Sequence, residues 1–403
     1  MDRGEMQRLL TKYLGRIDTE AVVRYLYEIL LEPGDFAVDI GAHTGMHTLP
    51  MAQKVGGSGR VFAFEPLPQC RQVLCAALMK NTPLLNVVTL LPFALSNYCG
   101  EASFVVAVDD LSNSGLRERI YDKSTRLESI TVSVRRLDAL NLPLPSLRFI
   151  KIDVEGGEYD ALIGARERIY RCKPVITFEC GESAFVNYGV SRETLLQEFF
   201  DLGYDIYDIK CNHVNDVQDF IEGARQFYVW DYIAVPQGRS EVISQLHEAY
   251  IRQLQHCDGL LNSDYKTEIS LLDQGGISYD SRVSVPTGHK QDITVRVSNR
   301  GTCEFSHLSF IIGQGLINLG ILWWPAATPR QRSALVAEYR VSLPWSLPPD
   351  ETMELAVPLS AVGADGQPLP PGEYEVWLGL VHEGITWFYE KGDIPLKLLV
   401  DVC

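Results

Sequence analysis

The stretch FAVDIGAHTG at positions 36–45 joins an apolar strand to a glycine-rich turn. Its first five residues predict a parallel strand that is buried on both faces, with Asp39 near the carboxyl end. Gly41 and Gly45 allow the backbone to turn sharply and to approach a ligand without an intervening Cβ atom. The helix predicted to follow has unpaired N–H groups in its first turn, which suits an anionic group. A strand, turn and helix of this kind form the first unit of a doubly wound α/β sheet.

Strands and helices alternate along the chain around this unit. The first thirty residues have apolar side chains at helical spacing, beginning with Leu9, Leu10, Tyr13 and Leu14. The same pattern predicts further helices at 46–55, 69–80, 159–170 and 192–202. Short apolar runs predict buried strands at 61–64, 87–91, 149–152, 175–178, 204–207 and 227–235. Two β-prone segments, 102–108 and 129–137, predict a pair of antiparallel strands outside the main sheet. Residues 1–236 are therefore expected to form a Rossmann-like doubly wound α/β domain.

The pattern changes after Pro236. Residues 241–261 are amphipathic and predict one helix, which is interpreted as a connector within 237–264. From 265 to 403, short alternating segments separated by turn-forming residues predict an all-β sandwich domain. Trp323 and Trp324 are adjacent, so on a strand they point to opposite faces and one of them is expected to be exposed. Core packing is favoured for the tryptophans of this domain, with glycan binding and oligomerisation as alternatives.

Composition excludes several classes of function. The net charge of −16 disfavours a nucleic-acid partner, because phosphate binding needs a basic surface. The nine cysteines contain no CxxC pair, which supports neither a zinc ribbon nor a disulfide framework. The sequence shows no pattern typical of a signal peptide or an integral membrane segment. A soluble, cytoplasmic protein is the expectation.

The glycine turn and the next strand predict a nucleoside-containing ligand. The glycine spacing is not the GxGxxG of dinucleotide-binding folds, so a nicotinamide cofactor is disfavoured. The turn better suits the amino-acid end of S-adenosylmethionine, with Asp39 within reach of its ammonium group. Glu65-Pro66 ends the second strand about twenty residues further on, where an acidic side chain binds ribose hydroxyls. The alternative is that Glu65 only caps a helix.

A third group of polar residues is KIDVEGGE at 151–158. It follows a buried strand, at the sheet edge where ligands bind in open α/β folds. If the strand stays extended, Asp153 and Glu155 lie on the same side. Two carboxylates there could orient a hydroxyl, accept its proton or bind a divalent cation. The alternative is helix N-capping by Asp153 and compensation of the helix dipole by Glu158.

Four segments resemble the FkbM family of methyltransferases: VDIGAHTGMHT, VFAFEPLP, FIKIDVEGGEYDALIGA and TFE at 177–179. The resemblance spans about 34–236 and implies transfer of a methyl group from S-adenosylmethionine to a hydroxyl oxygen, often of a sugar or polyketide. It also implies cofactor-binding roles for the residues at the two strand ends, namely Asp39, Gly41, Ala42, His43, Gly45, Glu65 and Pro66. The family usually has asparagine at the position of His43, so either a ligand contact or a structural role is open for this residue.

The resemblance implies that Asp153 and Glu155 face the reacting centre. Asp153 is the first choice for the general base or for a metal ligand, and Glu155 is the second. Glu179, at the end of the next strand, is a weaker candidate. The leading hypothesis is an O-methyltransferase acting on a sugar of a polysaccharide, glycolipid or natural product. The alternative is an inactive methyltransferase fold that serves as a glycan-binding or assembly module.

Overall fold

The computed structural model describes residues 17–121, 124–181, 186–220, 230–257, 264–273, 276–277, 282–310, 315–329 and 331–403. The helical pattern predicted from Leu9 to Leu14 and the first residues of the strand predicted at 227–235 lie outside the described residues. The chain divides into two compact units; one is Thr19–Ala249 and the other contains Tyr250–Cys403. In the described part of the chain, no helix is both long and apolar enough to cross a membrane.

The first unit alternates strands with helices. Its helices are α1 (Thr19–Leu30), α2 (Thr48–Val55), α3 (Pro68–Lys80), α4 (Glu158–Gly164), α5 (Arg166–Cys172), α6 (Arg192–Asp201) and α7 (Glu241–Cys257). Its strands are β1 (Phe36–Ile40), β2 (Arg60–Phe64), β3 (Val88–Leu91), β4 (Phe93–Leu95), β5 (Gly100–Ala107), β6 (Leu127–Arg135), β7 (Phe149–Ile152), β8 (Val175–Glu179), β9 (Tyr204–Asp208), β10 (His213–Val214) and β11 (Asp231–Pro236). The helix predicted at 159–170 is divided into α4 and α5, because Ala165 leaves the helical conformation with φ −112° and ψ 2°. The boundary between the units falls within α7, which lies inside the predicted connector segment 237–264.

Eight strands form the main sheet in the order β10-β9-β11-β8-β7-β1-β2-β3. β1 pairs in parallel with both β2 and β7, so the chain order reverses at β1. Ligands bind outside the carboxyl ends of the strands at such a reversal. β11 runs antiparallel between β8 and β9, unlike the strand order of the dinucleotide-binding folds. The predicted doubly wound α/β sheet is confirmed, with this antiparallel insertion as an addition.

The two antiparallel strands predicted outside the main sheet belong to a separate three-stranded sheet in the order β4-β6-β5. β5 and β6 pair antiparallel, and β4 pairs in parallel with β6. Phe104 of β5 and Val134 of β6 pack in a small core together with Leu67, which follows the second strand. This core fixes the small sheet above the carboxyl end of β2, beside the reversal point of the main sheet.

After the last residues of α7, the described residues of the second unit form strands and short 3₁₀ turns. The strands are β12 (Thr267–Asp273), β13 (Gly276–Ile277), β14 (Arg282–Val285), β15 (Lys290–Asn299), β16 (Ile317–Pro325), β17 (Ala337–Ser342), β18 (Thr352–Ser360), β19 (Gly372–His382), β20 (Thr386–Trp387) and β21 (Leu396–Val402). They form one sheet in the order β13-β12-β15-β18 and a second in the order β14-β21-β19-β16-β17, with β20 paired to β19. Both sheets contribute to one hydrophobic core, Val297 and Leu355 from the first and Ile321 and Val376 from the second.

Trp323 and Trp324 belong to two different hydrophobic clusters, as alternation along β16 predicts. The expectation that one of them is exposed is wrong, because Trp323 is 0% and Trp324 is 5% exposed. Trp324 packs in a second cluster with Trp387. The ring of Trp387 lies against Gly320, where a Cβ atom would be 2.4 Å from the ring. Aromatic side chains therefore cover both faces of β16, which the alternation of a single strand could not indicate.

Candidate functional site

A cavity of about 340 Å³ lies at the carboxyl ends of β1, β2, β7 and β8. Nine of the ten predicted site residues line it: Asp39, Gly41, Ala42, His43, Glu65, Pro66, Asp153, Glu155 and Glu179. They come from separate segments of the chain and meet because parallel strands end at the same edge of the sheet. The small three-stranded sheet adds apolar side chains to the wall, among them Phe93 and Phe104. The cavity is therefore charged where the main sheet ends and apolar along one side.

Asp39 lies near the carboxyl end of β1, next to the turn that follows this strand. Its side chain is 1% exposed, and its Oδ2 atom accepts a hydrogen bond of 2.6 Å from Thr48 Oγ1. Its Oδ1 atom is buried and has no partner among the described atoms. A buried carboxylate oxygen without a donor is unfavourable. Because Asp39 lines the cavity, a ligand that carries a hydrogen-bond donor would satisfy this oxygen.

Gly41 brings the turn after β1 against the turn after β7. Its φ is +88°, and a Cβ atom at this position would lie 1.8 Å from the carbonyl oxygen of Asp153. Only glycine allows this conformation together with so close an approach. Gly45 has φ +94° and is the one predicted site residue that does not line the cavity. A Cβ atom there would meet Leu74 Cδ1 at 2.3 Å, so Gly45 makes room for packing of α3.

His43 and Glu65 join the two turns that follow β1 and β2. The backbone N–H of His43 donates to Glu65 Oε2 at 2.8 Å, and that of Leu67 donates to Glu65 Oε1 at 2.7 Å. Burial nevertheless raises the pKa of Glu65 to about 7. His43 has φ +47°, a left-handed conformation in which asparagine and histidine are enriched. This backbone conformation favours histidine or asparagine at position 43.

The carboxylates after β7 are arranged by a turn. β7 ends at Ile152, and Glu155 has φ +58°, so the prediction that strand alternation aligns Asp153 with Glu155 is wrong. Both residues line the cavity all the same. The buried Glu158 stabilises the turn, since its Oε1 atom accepts from the N–H groups of Val154 and Gly156 at 3.0 and 3.1 Å. Gly157 is the N-cap of α4, which contradicts the alternative of capping by Asp153.

Lys151 is a buried ammonium group beside Asp153. Its Nζ atom donates to Asp153 Oδ2 at 2.6 Å, and β1 pairs Asp39 with Lys151 across the sheet. Burial opposes charge on both partners, but the Lys151 ammonium holds the pKa of Asp153 below its usual range. The two carboxylates likewise raise the pKa of Lys151 despite its burial. Asp153 is thus a fixed anion in this structure, which makes it a weak proton acceptor.

The pKa values of Glu155 and Glu179 are shifted upward, in the opposite direction to the pKa of Asp153. Burial and the charge of Asp153 raise the pKa of Glu155 to about 8, although it forms an ion pair with Arg119. Burial and the same charge raise the pKa of Glu179 well above its usual value. Among the described residues, no lysine or arginine pairs with Glu179. Carboxyl groups with raised pKa values are better suited to proton transfer near neutral pH than Asp153.

Asp153, Glu155 and Glu179 could also bind a divalent cation. One carboxylate oxygen from each lies within 4.8 Å of the others. Oxygen ligands of this kind suit magnesium or calcium. Two of the three already have a cationic partner, because Asp153 contacts Lys151 and Glu155 contacts Arg119. These two side chains supply part of the charge that a metal ion would bring.

Other cavity residues were missing from the sequence-based prediction: Glu20, His47, Lys151, Trp230 and Asp231. Lys151 was visible in the sequence as the only charged residue of the otherwise apolar run FIKI. Glu20 and His47 form a pair, with 2.6 Å between Glu20 Oε2 and His47 Nε2. Asp231 lies opposite Glu179 because β11 pairs antiparallel with β8. No local motif indicates such a pairing, so it could not be read from the chain.

Comparison with known proteins gives one family match and three similar proteins. Residues 39–206 match the model of the methyltransferase FkbM domain. Methyltransferase sdnD of Sordaria araneosa is 26% identical over 255 residues, which cover 55% of this chain and 96% of that protein. The solved methyltransferase FkbM from Methylobacillus flagellatus KT aligns with 57% of this chain and 57% of its own, at 20% identity and a TM-score of 0.31. Aeropyrum pernix fibrillarin, solved with natively bound S-adenosyl-L-methionine, covers 54% of this chain and 73% of its own, at 12% identity and a TM-score of 0.29.

Proposed function

We propose, on the basis that residues 39–206 match the model of the methyltransferase FkbM domain, that this domain transfers a methyl group from S-adenosylmethionine to a hydroxyl oxygen of a sugar. The observation that carries the proposal is the cavity at the reversal point of the sheet. Its lining combines the glycine turn after β1 with a carboxylate at the end of β8 whose pKa is raised. Sugar hydroxyls need a proton acceptor of this kind to become nucleophilic.

The residues of the turn fit the proposed cofactor. The orphaned Oδ1 atom of Asp39 suits an ammonium group, and it lies where the family resemblance puts the methionine end. Glu65 is held by two backbone N–H groups, which leaves further lone pairs of its carboxylate for ribose hydroxyls. Phe93 and Phe104 offer apolar contact to a heterocyclic base. When bound, S-adenosylmethionine supplies an electrophilic methyl group on a positively charged sulfur.

We assign the general base to Glu179 rather than to Asp153. Asp153 is paired with Lys151 and stays ionised, so it can accept a hydrogen bond from the acceptor hydroxyl and orient it. Glu179 has no cationic partner among the described side chains, and its raised pKa favours uptake of the hydroxyl proton. Glu155 is the second candidate, because Arg119 stabilises its ionised form. Holding the hydroxyl in line with the methyl group supplies much of the acceleration.

The alternative of an inactive glycan-binding or assembly module is less well supported. An inactive fold has no need for a cavity that combines Asp39, Glu65, Asp153 and Glu179 at four strand ends. It also has no need for a buried lysine that fixes one of these carboxylates. We propose that the second unit binds the substrate or a partner.

Labelled-methyl transfer into a panel of glycans, followed by mass spectrometry of the products, tests the proposal. The variant Glu179→Gln should bind S-adenosylmethionine like the wild type and turn over about 10²–10⁴-fold more slowly, which is the usual contribution of a general base. Glu193→Gln is the matched control, because Glu193 is exposed and lies on α6, outside the cavity lining. Transfer by Glu179→Gln at the wild-type rate would refute the assignment of the base, whereas absence of transfer by the wild type would refute the function.

A further inference from the structure

Trp230 is a cavity residue without a role in the proposed transfer. It directly precedes β11, and its carbonyl oxygen accepts a hydrogen bond of 2.7 Å from the N–H of Cys180. This bond extends the pairing of Glu179 with Asp231 by one residue. The side chain of Trp230 is 39% exposed, and it lines the cavity together with those two carboxylates. An aromatic side chain is therefore fixed by backbone pairing beside the proposed base.

Gly181 sets the position of the indole relative to Glu179. A Cβ atom on Gly181 would lie 3.7 Å from Trp230 Cε3 and 3.4 Å from Glu179 Oε1. The edge of the ring and the carboxylate thus flank the same glycine on the same side of the chain. The indole offers a flat apolar surface, and Glu179 and Asp231 offer hydrogen-bond acceptors next to it.

This combination restricts the chemistry of the acceptor. A wholly apolar ligand would cover the carboxylates of Glu179 and Asp231 without adding a hydrogen-bond donor of its own, which is costly. An acyclic polyol would supply donors, but it has no flat C–H face to pack on the indole of Trp230. A pyranose ring satisfies both requirements, because its C–H groups lie on one face and its hydroxyl groups project from the rim.

We propose that Trp230 is the residue that selects a cyclic acceptor, by packing on the C–H face of a pyranose ring whose hydroxyl groups donate to Glu179 and Asp231. The inference rests on the proposed function in one respect, that this cavity binds the acceptor. It adds the reason why a ring is accepted and names the side chain responsible. Trp230 is a specificity residue and takes no part in proton transfer.

The test measures binding by calorimetry, with S-adenosylhomocysteine present to fill the cofactor site. The probes are the methyl glycosides of glucose, galactose, mannose and rhamnose, together with the acyclic hexitols sorbitol and mannitol. At least one methyl glycoside should bind the wild type, and the hexitols should bind at least tenfold more weakly. Trp230→Ala should lose about tenfold in affinity for that glycoside, the scale of one aromatic contact, and Trp230→Phe should lose about threefold or less.

The control is Tyr170→Ala, because Tyr170 is an aromatic residue that is 65% exposed and lies on α5 of the first unit, outside the cavity lining. It should bind the glycoside like the wild type. In turnover assays, Trp230→Ala should raise the KM for the acceptor about tenfold and leave the cofactor affinity unchanged. Equal binding of hexitols and glycosides, unchanged binding by Trp230→Ala, or no glycoside bound by the wild type would each overturn the proposal. Glycoside binding without methyl transfer would refute the proposed function and leave the role of Trp230 standing.

Discussion

Replacing Gly41 by alanine tests whether the contact between the two turns positions the site. The added Cβ atom would lie 1.8 Å from the carbonyl oxygen of Asp153, whereas real Cβ atoms essentially never approach closer than 3.0 Å. The turns after β1 and β7 must then separate by at least 1.2 Å, the difference between these two distances. A displacement of about 1 Å in a catalytic arrangement can cost about 10²-fold in rate. The φ of +88° adds strain of about 1–2 kcal/mol for any residue with a side chain.

We therefore expect Gly41→Ala to fold with a lowered unfolding midpoint and to lose about 10²-fold in turnover. Gly57→Ala is the matched control, because no atom lies within 4 Å of its added Cβ and its φ is not in the left-handed region. The assays are thermal unfolding followed by circular dichroism, and labelled-methyl transfer at saturating cofactor. Activity of Gly41→Ala within twofold of the Gly57→Ala variant would refute the argument, since it would mean that the turns need not touch.

Three further results are expected. The ligand-free protein should be more stable at pH 5.5 than at pH 8, because burial raises the pKa of Glu65 and of Glu158 from 4.5 to about 7. The stability that their protonated forms provide is lost as the pH rises from 4.5 through 7. Between pH 5.5 and pH 8 each group accounts for about 2 kcal/mol, and a midpoint independent of pH in thermal scans would contradict this. Chelation with EDTA should leave the transfer rate unchanged, because Lys151 already neutralises Asp153. If EDTA abolished transfer and added magnesium restored it, the site would require a metal ion. Asp39→Asn should weaken binding of S-adenosylmethionine by about tenfold, because a charge-assisted hydrogen bond is lost. Calorimetry measures this affinity, and an unchanged value would count against the assigned position of the ammonium group.

The sequence predicted those features of the site that depend on a single strand and its turn. Asp39, Glu65 and Asp153 each follow an apolar run, and parallel strands bring such ends together without any further information. The conformation of Glu155 could not be predicted, because a left-handed φ at a glutamate depends on the contacts of Glu158 and on the neighbouring Gly156. The burial of Trp324 was missed for a similar reason, since the cluster that covers it comes from a distant strand.

The two sides of the cavity differ in what holds them in place. Asp39 and Lys151 lie on neighbouring central strands, so the cofactor side and the fixed anion Asp153 are positioned by backbone pairing within the sheet. The acceptor side depends on β11, whose antiparallel pairing brings Trp230 and Asp231 to Glu179. A substitution at Trp230 changes no backbone hydrogen bond of this arrangement, whereas one at Gly41 forces two turns apart. Under the proposed function, we expect substitutions next to β11 to change the choice of acceptor, while the central strands keep the proposed geometry for methyl transfer.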